Sequence, residues 1–177
     1  EISQGGARVA AVLGLDNLIM FYDSNDIQLS TETKDVMNED TAAKYKSLGW
    51  EVIEINGNDV EQIRKAIEEA KAVTGKPTLI IGKCIMGKGA LKADGSSYEA
   101  DCKTHGAPLG GDAYVNTVKN LGGNPEDPFQ IFSDVQELYN NRAKELEAIC
   151  AERYAEEKAW AEANPEIAAA QIEWFAG

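Results

Sequence analysis

Apolar and polar positions along residues 1–85 fall into alternating blocks of helical and strand-like periodicity. Apolar residues at helical spacing predict three helices, over residues 4–13, 41–48 and 60–73. Runs rich in β-branched and aromatic residues predict three strands, over residues 18–23, 50–55 and 78–85. Strands that are separated by helices pair in parallel through right-handed crossovers. The pattern therefore predicts an α/β fold in which helices cover both faces of a parallel sheet.

Two of these helices begin at residues that suit a helix start, and the first carries an apolar stripe. Asp40 and Asp59 stand at N-cap positions, where a carboxylate accepts hydrogen bonds from the first free backbone amides. Val9, Val12 and Leu13 form the apolar stripe of the first helix. An amphipathic helix turns such a stripe toward the core of its domain.

After the third strand the pattern changes. Residues 86–111 form a long irregular segment, and a loop of this length in a compact domain is usually functional or disordered. Further helices are predicted from Asp112, as an N-cap, to residue 121, and then over residues 133–163 and 165–175. Residues 133–177 carry ten acidic and four basic side chains. This tail either packs over its own domain or leads as a linker toward another domain or subunit.

The first strand runs from an apolar stretch directly into a polar cluster that contains Asp23, Asn25 and Asp26. Ligands of open α/β sheets bind beyond the carboxyl ends of the parallel strands. Asn25 offers a side-chain carbonyl there, and Ile27 offers its backbone carbonyl. Two hard oxygens at this spacing suit a magnesium ion that also binds phosphate. The alternative is a polar loop in which Asn25 and Asp26 only satisfy turn geometry.

The third strand and the long loop add two weaker features. Gly87 and Gly89 allow backbone amides to approach a phosphate closely, as in an anion-binding nest. His105 is the only histidine, and it stands before Gly-Ala-Pro in the long loop. A histidine titrates near neutral pH and can transfer a proton to or from a hydroxyl. Taken singly, a Gly-x-Gly is common and a lone histidine is more often structural.

Composition and charge narrow the classes of function. The formal net charge of −13 argues against nucleic-acid or anionic-membrane binding, because both need clustered lysines and arginines. Three cysteines without a Cys-x-x-Cys pair predict no zinc site and indicate the reducing cytoplasm. No apolar run approaches the roughly 18 residues that a membrane span needs. Because the chain begins at Glu1 without Met and passes directly into a helical pattern, we expect a fragment of a longer protein.

Several segments, in the same order along the chain, resemble the transketolases. Residues 22–30 are similar to the end of the thiamine diphosphate motif, which begins with Gly-Asp-Gly and closes on an asparagine. Further similar segments follow at residues 57–59, 76–81, 85–89, 105–110 and 119–122. The resemblance covers nearly the whole chain and loosens after about residue 130. It implies a partial thiamine diphosphate-binding domain over residues 1–130, and a helical extension with the start of an interdomain linker over residues 131–177.

The resemblance also implies roles for individual residues. Asn25 would bind Mg²⁺ through its side chain and Ile27 through its main-chain carbonyl, and Ca²⁺ or Mn²⁺ could replace the ion. Leu29 would lie against the ring of thiamine diphosphate, and Met86 and Gly87 would lie along its diphosphate and thiazolium. His105 would contact the diphosphate and position or deprotonate the sugar. The implied reaction moves a two-carbon ketol unit from a ketose phosphate to an aldose phosphate, with the cofactor supplying the carbanion chemistry.

Departures from the family pattern limit what the chain can do alone. The Gly-Asp-Gly that carries the third metal ligand would lie upstream of Glu1, and Gly5 stands where many transketolases have a glutamate at the subunit contact. The pyrimidine-binding domain is also absent, and in the family it comes from the partner subunit of a homodimer. We therefore expect the 177 residues alone to be inactive. The rivals are another thiamine diphosphate enzyme, such as deoxyxylulose phosphate synthase, and a non-catalytic Rossmann-like interaction module, although the His-Gly-Ala-Pro-Leu segment favours transketolase.

Overall fold

The computed structural model describes residues 2–177, which form six α-helices and three strands. In chain order these are α1 (Ile2–Val12), β1 (Ile19–Ser24), α2 (Thr41–Ser47), β2 (Glu51–Asn56), α3 (Val60–Ala72), β3 (Thr78–Lys83), α4 (Gly111–Asn120), α5 (Ser133–Ala163) and α6 (Pro165–Ala176). Short 3₁₀ turns cover Thr33–Asp35 and Cys102–Thr104. The chain divides into two compact units, the first ending at Glu126 and the second beginning at Asp127. The assignment of these units to a cofactor domain and a linker stays a prediction.

The three strands form one parallel sheet in the order β1-β3-β2. Phe21 and Ile53 both align with Ile80, so β3 lies in the centre of the sheet. This position explains the nearly continuous apolar sequence of β3, because a central strand is covered on both faces and on both edges. Leu79 and Ile80, with side chains on opposite faces, are fully buried. The predicted α/β class is confirmed.

Helices pack on both faces of this sheet. On one face, Leu79 packs with residues of α1 and with Trp50, which precedes β2. On the other face, Ile80 packs with Ala66 and Ala70 of α3. The single-residue alternation along β3 thus divides the core of the first unit into two layers.

The buried side of α1 differs from the predicted stripe. Val9, Val12 and Leu13 are exposed, and Ala7 and Ala10 are the buried residues of this helix. Small alanine side chains let the helix backbone come close to the sheet and to the large ring of Trp50. The prediction that the branched residues of α1 face the core of this unit is therefore wrong.

Most predicted helix starts have the expected capping bonds. Asp40 accepts a hydrogen bond from the Ala43 amide at 2.9 Å. Asp59 accepts bonds from the amides of Glu61 and Gln62 at 3.0 and 3.1 Å. Asp112 does not cap α4, because the N-cap of that helix is Gly110, two residues earlier, and it has no side-chain capping bond.

The strand β3 is two residues shorter than predicted. It ends at Lys83, because the amide of Ile85 leaves the ladder and donates to the Asn58 side-chain carbonyl at 3.0 Å. The amide of Cys84 still reaches the Ser24 carbonyl at 3.1 Å. Polar side chains after β2 therefore determine where the central strand stops.

The second unit consists of α5 and α6, which contact each other. The predicted bounds, residues 133–163 and 165–175, are reproduced almost without change. Pro165 stands at the first position of α6, where its missing amide costs no hydrogen bond. Among the described residues of these two helices, none is buried. No helix in the described part of the chain is both long enough and apolar enough to cross a membrane.

Candidate functional site

The carboxyl ends of the three parallel strands meet at one edge of the sheet, and a cavity of about 660 Å³ lies there. It is bordered by the last residues of β2 and β3, by residues that follow each strand, and by two residues of the long loop, Lys88 and Ala100. The lining residues are Asn25, Asp26, Ile27, Glu32, Ile55, Asn56, Asn58, Lys83, Cys84, Ile85, Lys88 and Ala100. This is the edge where open α/β sheets bind ligands.

The loop after β1 makes a tight turn beside this cavity. The side-chain oxygen of Asn25 accepts the Ile27 amide at 3.0 Å, and Asp26 between them has φ 65°, in the left-handed region. The Asp26 carbonyl accepts the Thr33 amide at 2.8 Å, so the chain returns antiparallel to itself. We call residues 25–27 the Asn25 turn. The bond from the Ile27 amide to Asn25 is the kind expected if Asn25 only satisfies the geometry of a polar turn, which was the alternative interpretation of this residue.

The same turn also contains two oxygens that keep lone pairs with which a cation could bind. Ile27 faces Glu32 in an antiparallel bridge. The hydrogen bonds of this bridge join Asp26 to Thr33 and Gln28 to Thr31. The carbonyl of Ile27 is therefore not used by the bridge and points away from it. The amide oxygen of Asn25 has a second lone pair beyond the one that the Ile27 amide uses. Neutral amide and backbone oxygens are ligands that Mg²⁺ accepts when phosphates complete its shell. Among the described residues, no group of three His, Cys, Asp or Glu side chains could hold a metal.

Charged side chains of both signs border the cavity. Lys83 pairs with Asp26, and Glu32 pairs with Lys34 at 2.6 Å. That hydrogen bond to Glu32 raises the pKa of Lys34. Among the ion pairs of the described residues none includes Lys88, which borders the cavity and is exposed. An ammonium group and two carbonyl oxygens on residues of one cavity suit a ligand that combines a divalent cation with phosphate.

The turn at Gly87 and Gly89 is built for close approach of another segment. Both glycines have positive φ, 62° and 80°. A Cβ on Gly89 would lie 2.6 Å from the Leu121 side chain, and one on Gly87 would lie 3.1 Å from the Thr104 hydroxyl. The Met86 carbonyl accepts the Ala100 amide at 2.9 Å, so the long loop folds back on this turn.

His105 follows the short 3₁₀ turn of that loop. Its amide donates to the Cys102 carbonyl at 3.1 Å. Its Nδ1 is buried and has no hydrogen-bond partner in the part of the chain that the structure describes. A buried nitrogen without a partner is costly, and a ligand oxygen could satisfy it.

The structure brings only part of the predicted site together. Asn25 and Ile27 border the cavity, whereas Leu29, Met86, Gly87 and His105 lie outside its lining. Leu29 is 73% exposed.

Sequence reasoning missed several lining residues at and just after the ends of β2 and β3. Asn58 borders the cavity, and its side-chain carbonyl accepts the Ile85 amide. The same rule that singled out Asn25, polar residues at the carboxyl end of a strand, would have found Asn56 and Asn58. Cys84 is a thiol whose pKa is raised by burial and by the neighbouring Asp23. It therefore stays protonated near neutral pH and is a poor nucleophile.

Comparisons with known proteins agree on one family. The family described as "Transketolase, thiamine diphosphate binding domain" matches residues 1–176. A probable transketolase of Streptococcus pneumoniae is 38% identical over 172 residues, which are 95% of this chain and 25% of that protein. A transketolase of a Nostoc species is 43% identical over 136 residues, 76% of this chain and 19% of the other. The chain thus spans about a quarter of the length of the curated relatives it matches.

Solved structures give the same result for the fold. A transketolase of Pichia stipitis in complex with sedoheptulose 7-phosphate is similar at a TM-score of 0.79 and 34% identity, covering 91% of this chain and 23% of that one. A transketolase of Campylobacter jejuni is similar at a TM-score of 0.71 and 36% identity, and the match covers 78% of this chain and 21% of that one.

Proposed function

Because this chain belongs to the transketolase family, we propose that it holds the diphosphate end of thiamine diphosphate, as part of an enzyme that transfers a two-carbon ketol unit between sugar phosphates. The observation that carries this proposal is the Asn25 turn, because the side-chain oxygen of Asn25, which keeps a second lone pair, and the carbonyl of Ile27 both belong to residues at the edge of a cavity that Lys88 also borders. When bound, the cofactor supplies the carbanion chemistry of the transfer.

Each residue of the proposed site has a distinct task. Asn25 and Ile27 bind Mg²⁺ through the side-chain and main-chain carbonyls, and Ca²⁺ or Mn²⁺ can replace the ion. The ion and the ammonium group of Lys88 offset the charge of the diphosphate. Met86 and Gly87 lie along the diphosphate and thiazolium, where the positive φ of Gly87 supports close backbone approach. Leu29 packs against the cofactor ring, for which its exposure leaves it accessible.

We propose that His105 contacts the diphosphate and then the sugar substrate. Its buried Nδ1 lacks a partner among the described residues, so one ring nitrogen has an unmet hydrogen bond. A neutral imidazole that donates through one nitrogen and accepts through the other can position a hydroxyl or remove its proton.

Activity and assembly are proposed for the intact protein that contains these 177 residues. The cofactor would lie between this domain and the pyrimidine-binding domain of a second subunit, in a homodimer. We expect the 177 residues alone to be inactive, since they span about a quarter of their relatives. The free state of Cys84, Cys102 and Cys150 supports a cytoplasmic location.

The test compares two asparagines that make the same local bond. Asn124, like Asn25, accepts an amide two residues ahead, that of Glu126 at 3.1 Å, and it does not border the cavity. In the intact protein we expect Asn25→Ala to weaken Mg²⁺-dependent binding of thiamine diphosphate by about tenfold or more, and Asn124→Ala to leave it unchanged. Isothermal titration at fixed Mg²⁺ measures both. An unchanged affinity in Asn25→Ala would refute the proposed metal site.

A donor assay separates transketolase from other thiamine diphosphate enzymes. We expect the intact protein to use xylulose 5-phosphate as its two-carbon donor, with an aldose phosphate as acceptor. Turnover of pyruvate with glyceraldehyde 3-phosphate, and none of xylulose 5-phosphate, would instead identify a deoxyxylulose phosphate synthase-like activity. No turnover of either by a protein that binds the cofactor would favour a non-catalytic module.

A further inference from the structure

We propose that Asp26 and Lys83 are positioning residues for the cation, because their ion pair holds the Asn25 turn in the conformation that binds it. The proposal rests on the proposed function, in which Asn25 and Ile27 are the cation ligands. All four residues border the same cavity.

The backbone of Asp26 needs an external restraint. It has φ 65°, a conformation that side-chain-bearing residues adopt at a cost and that glycine adopts freely. Asp26 is the residue between Asn25 and Ile27, so its dihedral angles determine how the two ligand oxygens are oriented relative to each other. If Asp26 relaxed to negative φ, the Ile27 amide would lose its 3.0 Å bond to Asn25 and the two oxygens would diverge.

Lys83 connects Asp26 to the central strand of the sheet. It is the last residue of the central strand β3 and aligns with both Ser24 and Asn56. Its carbonyl accepts the Gly57 amide at 2.9 Å. Its ammonium group pairs with the Asp26 carboxylate. The pair therefore connects the turn to the centre of the sheet, independently of the backbone bond between Asp26 and Thr33.

The exposure of the pair limits the size of the effect. The two side chains are 59% and 58% exposed, and ion pairs this open add little to global stability and are screened by salt. We expect the loss of either partner to leave the fold intact and to weaken cation binding by about two- to fivefold.

The sign of the effect distinguishes positioning from simple attraction between charges. Removal of the negative Asp26 would weaken binding of a nearby cation by charge alone. Removal of the positive Lys83 would strengthen it by charge alone. Positioning predicts that both substitutions weaken cation binding. It also predicts that the loss of binding free energy in the double variant is no larger than the sum of the losses in the two single variants.

The experiment uses Asp26→Asn, Lys83→Gln and the double variant in the intact protein. Lys76→Gln is the matched control, because Lys76 stands just before the other end of β3, pairs with Glu51 and does not border the cavity. Isothermal titration of Mg²⁺ at saturating thiamine diphosphate should give weaker binding for Asp26→Asn and for Lys83→Gln, and wild-type binding for Lys76→Gln. Tighter Mg²⁺ binding in Lys83→Gln, or no change in both variants, would overturn the proposal.

A second measurement needs neither cofactor nor metal. The amides of Ile27 and Thr33 donate to Asn25 and Asp26, so their hydrogen exchange reports the order of the turn. We expect exchange to be about two- to fivefold faster in Asp26→Asn and Lys83→Gln, and unchanged in Lys76→Gln. Equal exchange in all variants would overturn the proposal. If Asn25→Ala leaves Mg²⁺ affinity unchanged, the proposed function fails, and exchange still decides whether the pair orders the turn.

Discussion

The indole Nε1 of Trp50 donates a 2.8 Å hydrogen bond to the main-chain carbonyl of Ala7. This bond joins the residue that precedes β2 to the middle of α1, across one face of the sheet. The ring of Tyr45 meets that of Trp50 edge to face, with centroids 5.2 Å apart. One buried aromatic residue thus connects α1, α2 and β2, and the alanines of α1 leave the room that its ring occupies.

We expect Trp50→Phe to lower the free energy of unfolding by about 1 kcal/mol, because the hydrogen bond to Ala7 is lost while much of the ring packing remains. Trp50→Ala should cost about 3–5 kcal/mol through the cavity that it leaves. Urea unfolding followed by circular dichroism measures both. Trp174→Phe, on an exposed side chain of α6, is the control and should change stability by less than about 0.5 kcal/mol. Equal effects at the two tryptophans would contradict this account.

Two glycines should respond to alanine in opposite directions. A Cβ on Gly57 would lie 2.9 Å from the backbone of Gly82 and 2.4 Å from the Cys84 sulfur. Gly57→Ala should therefore destabilise the 177-residue chain by about 1–3 kcal/mol. Gly6 lies in α1 and its Cβ would meet nothing within 4 Å, so Gly6→Ala should stabilise by up to about 1 kcal/mol. Thermal melting of both variants measures the two changes in stability. Opposite signs would support the steric contact at Gly57, and equal signs would indicate a general effect of alanine substitution.

The cap of α3 should make the first unit sensitive to acid. The amide of Gln62, with help from its side chain and from the Glu61 amide, lowers the pKa of Asp59 from its usual 3.8. A lowered pKa in the folded state means that the stabilisation is fully present above pH 3.8 and is lost as pH falls through the folded pKa. Asp59→Asn keeps a capping side chain but removes the carboxyl group that titrates. The stability of this variant should therefore fall less steeply than that of the wild type below pH 3.8. Acid titration followed by circular dichroism tests this, and parallel curves would contradict it.

Cysteine labelling should follow exposure and thiol pKa. Burial and the neighbouring Asp23 raise the pKa of the Cys84 thiol. Little of the reactive thiolate therefore forms there at about pH 8. We expect iodoacetamide to modify the exposed Cys150 first and Cys84 slowly. Asp23→Asn should speed the labelling of Cys84, because one of the two causes of the raised pKa is removed. Peptide mass spectrometry measures both rates, and faster labelling of Cys84 than of Cys150 would contradict the assignment.

The two proposed roles of His105 affect different kinetic parameters. If the ring removes a proton from the sugar, His105→Gln in the intact protein should lower kcat by about 10²-fold or more. If it only holds the diphosphate, the same change should weaken binding of thiamine diphosphate and leave kcat at saturating cofactor nearly unchanged. Steady-state assays at several cofactor concentrations separate the two, and normal values of both parameters would exclude His105 from the site.

The fold could be predicted from sequence because each element has a local cause. Asp40 and Asp59 mark helix starts, and the apolar run of β3 identifies a strand that is covered on both faces. The inward face of α1 could not be predicted in the same way, because it depends on the shape of Trp50, which is distant in sequence. A periodicity rule favours Val9 and Val12 over alanine, whereas packing against a large ring favours the smaller residue.

The site was predictable only where it depends on neighbours in sequence. The Asn25 turn involves three consecutive residues, and its bond from the Ile27 amide to Asn25 is local in sequence. The pairing of Asp26 with Lys83 and the bond from Ile85 to Asn58 join segments that meet only after the sheet has formed. Their residue types are ordinary for surface loops, so no local pattern distinguishes them from other polar residues.

The strand order also has a consequence for the path of folding. Both β1 and β2 pair with β3 and not with each other, so neither has its sheet partner until Lys83 has been synthesised. During translation, β1 stays unpaired while α2, β2 and α3 are synthesised between it and β3. Ile19 closes a longer loop to Thr78 than Glu51 does to the same residue, so β2 is expected to join the nucleus before β1. The Asn25 turn, which follows β1, is then among the last parts of the sheet edge to become ordered.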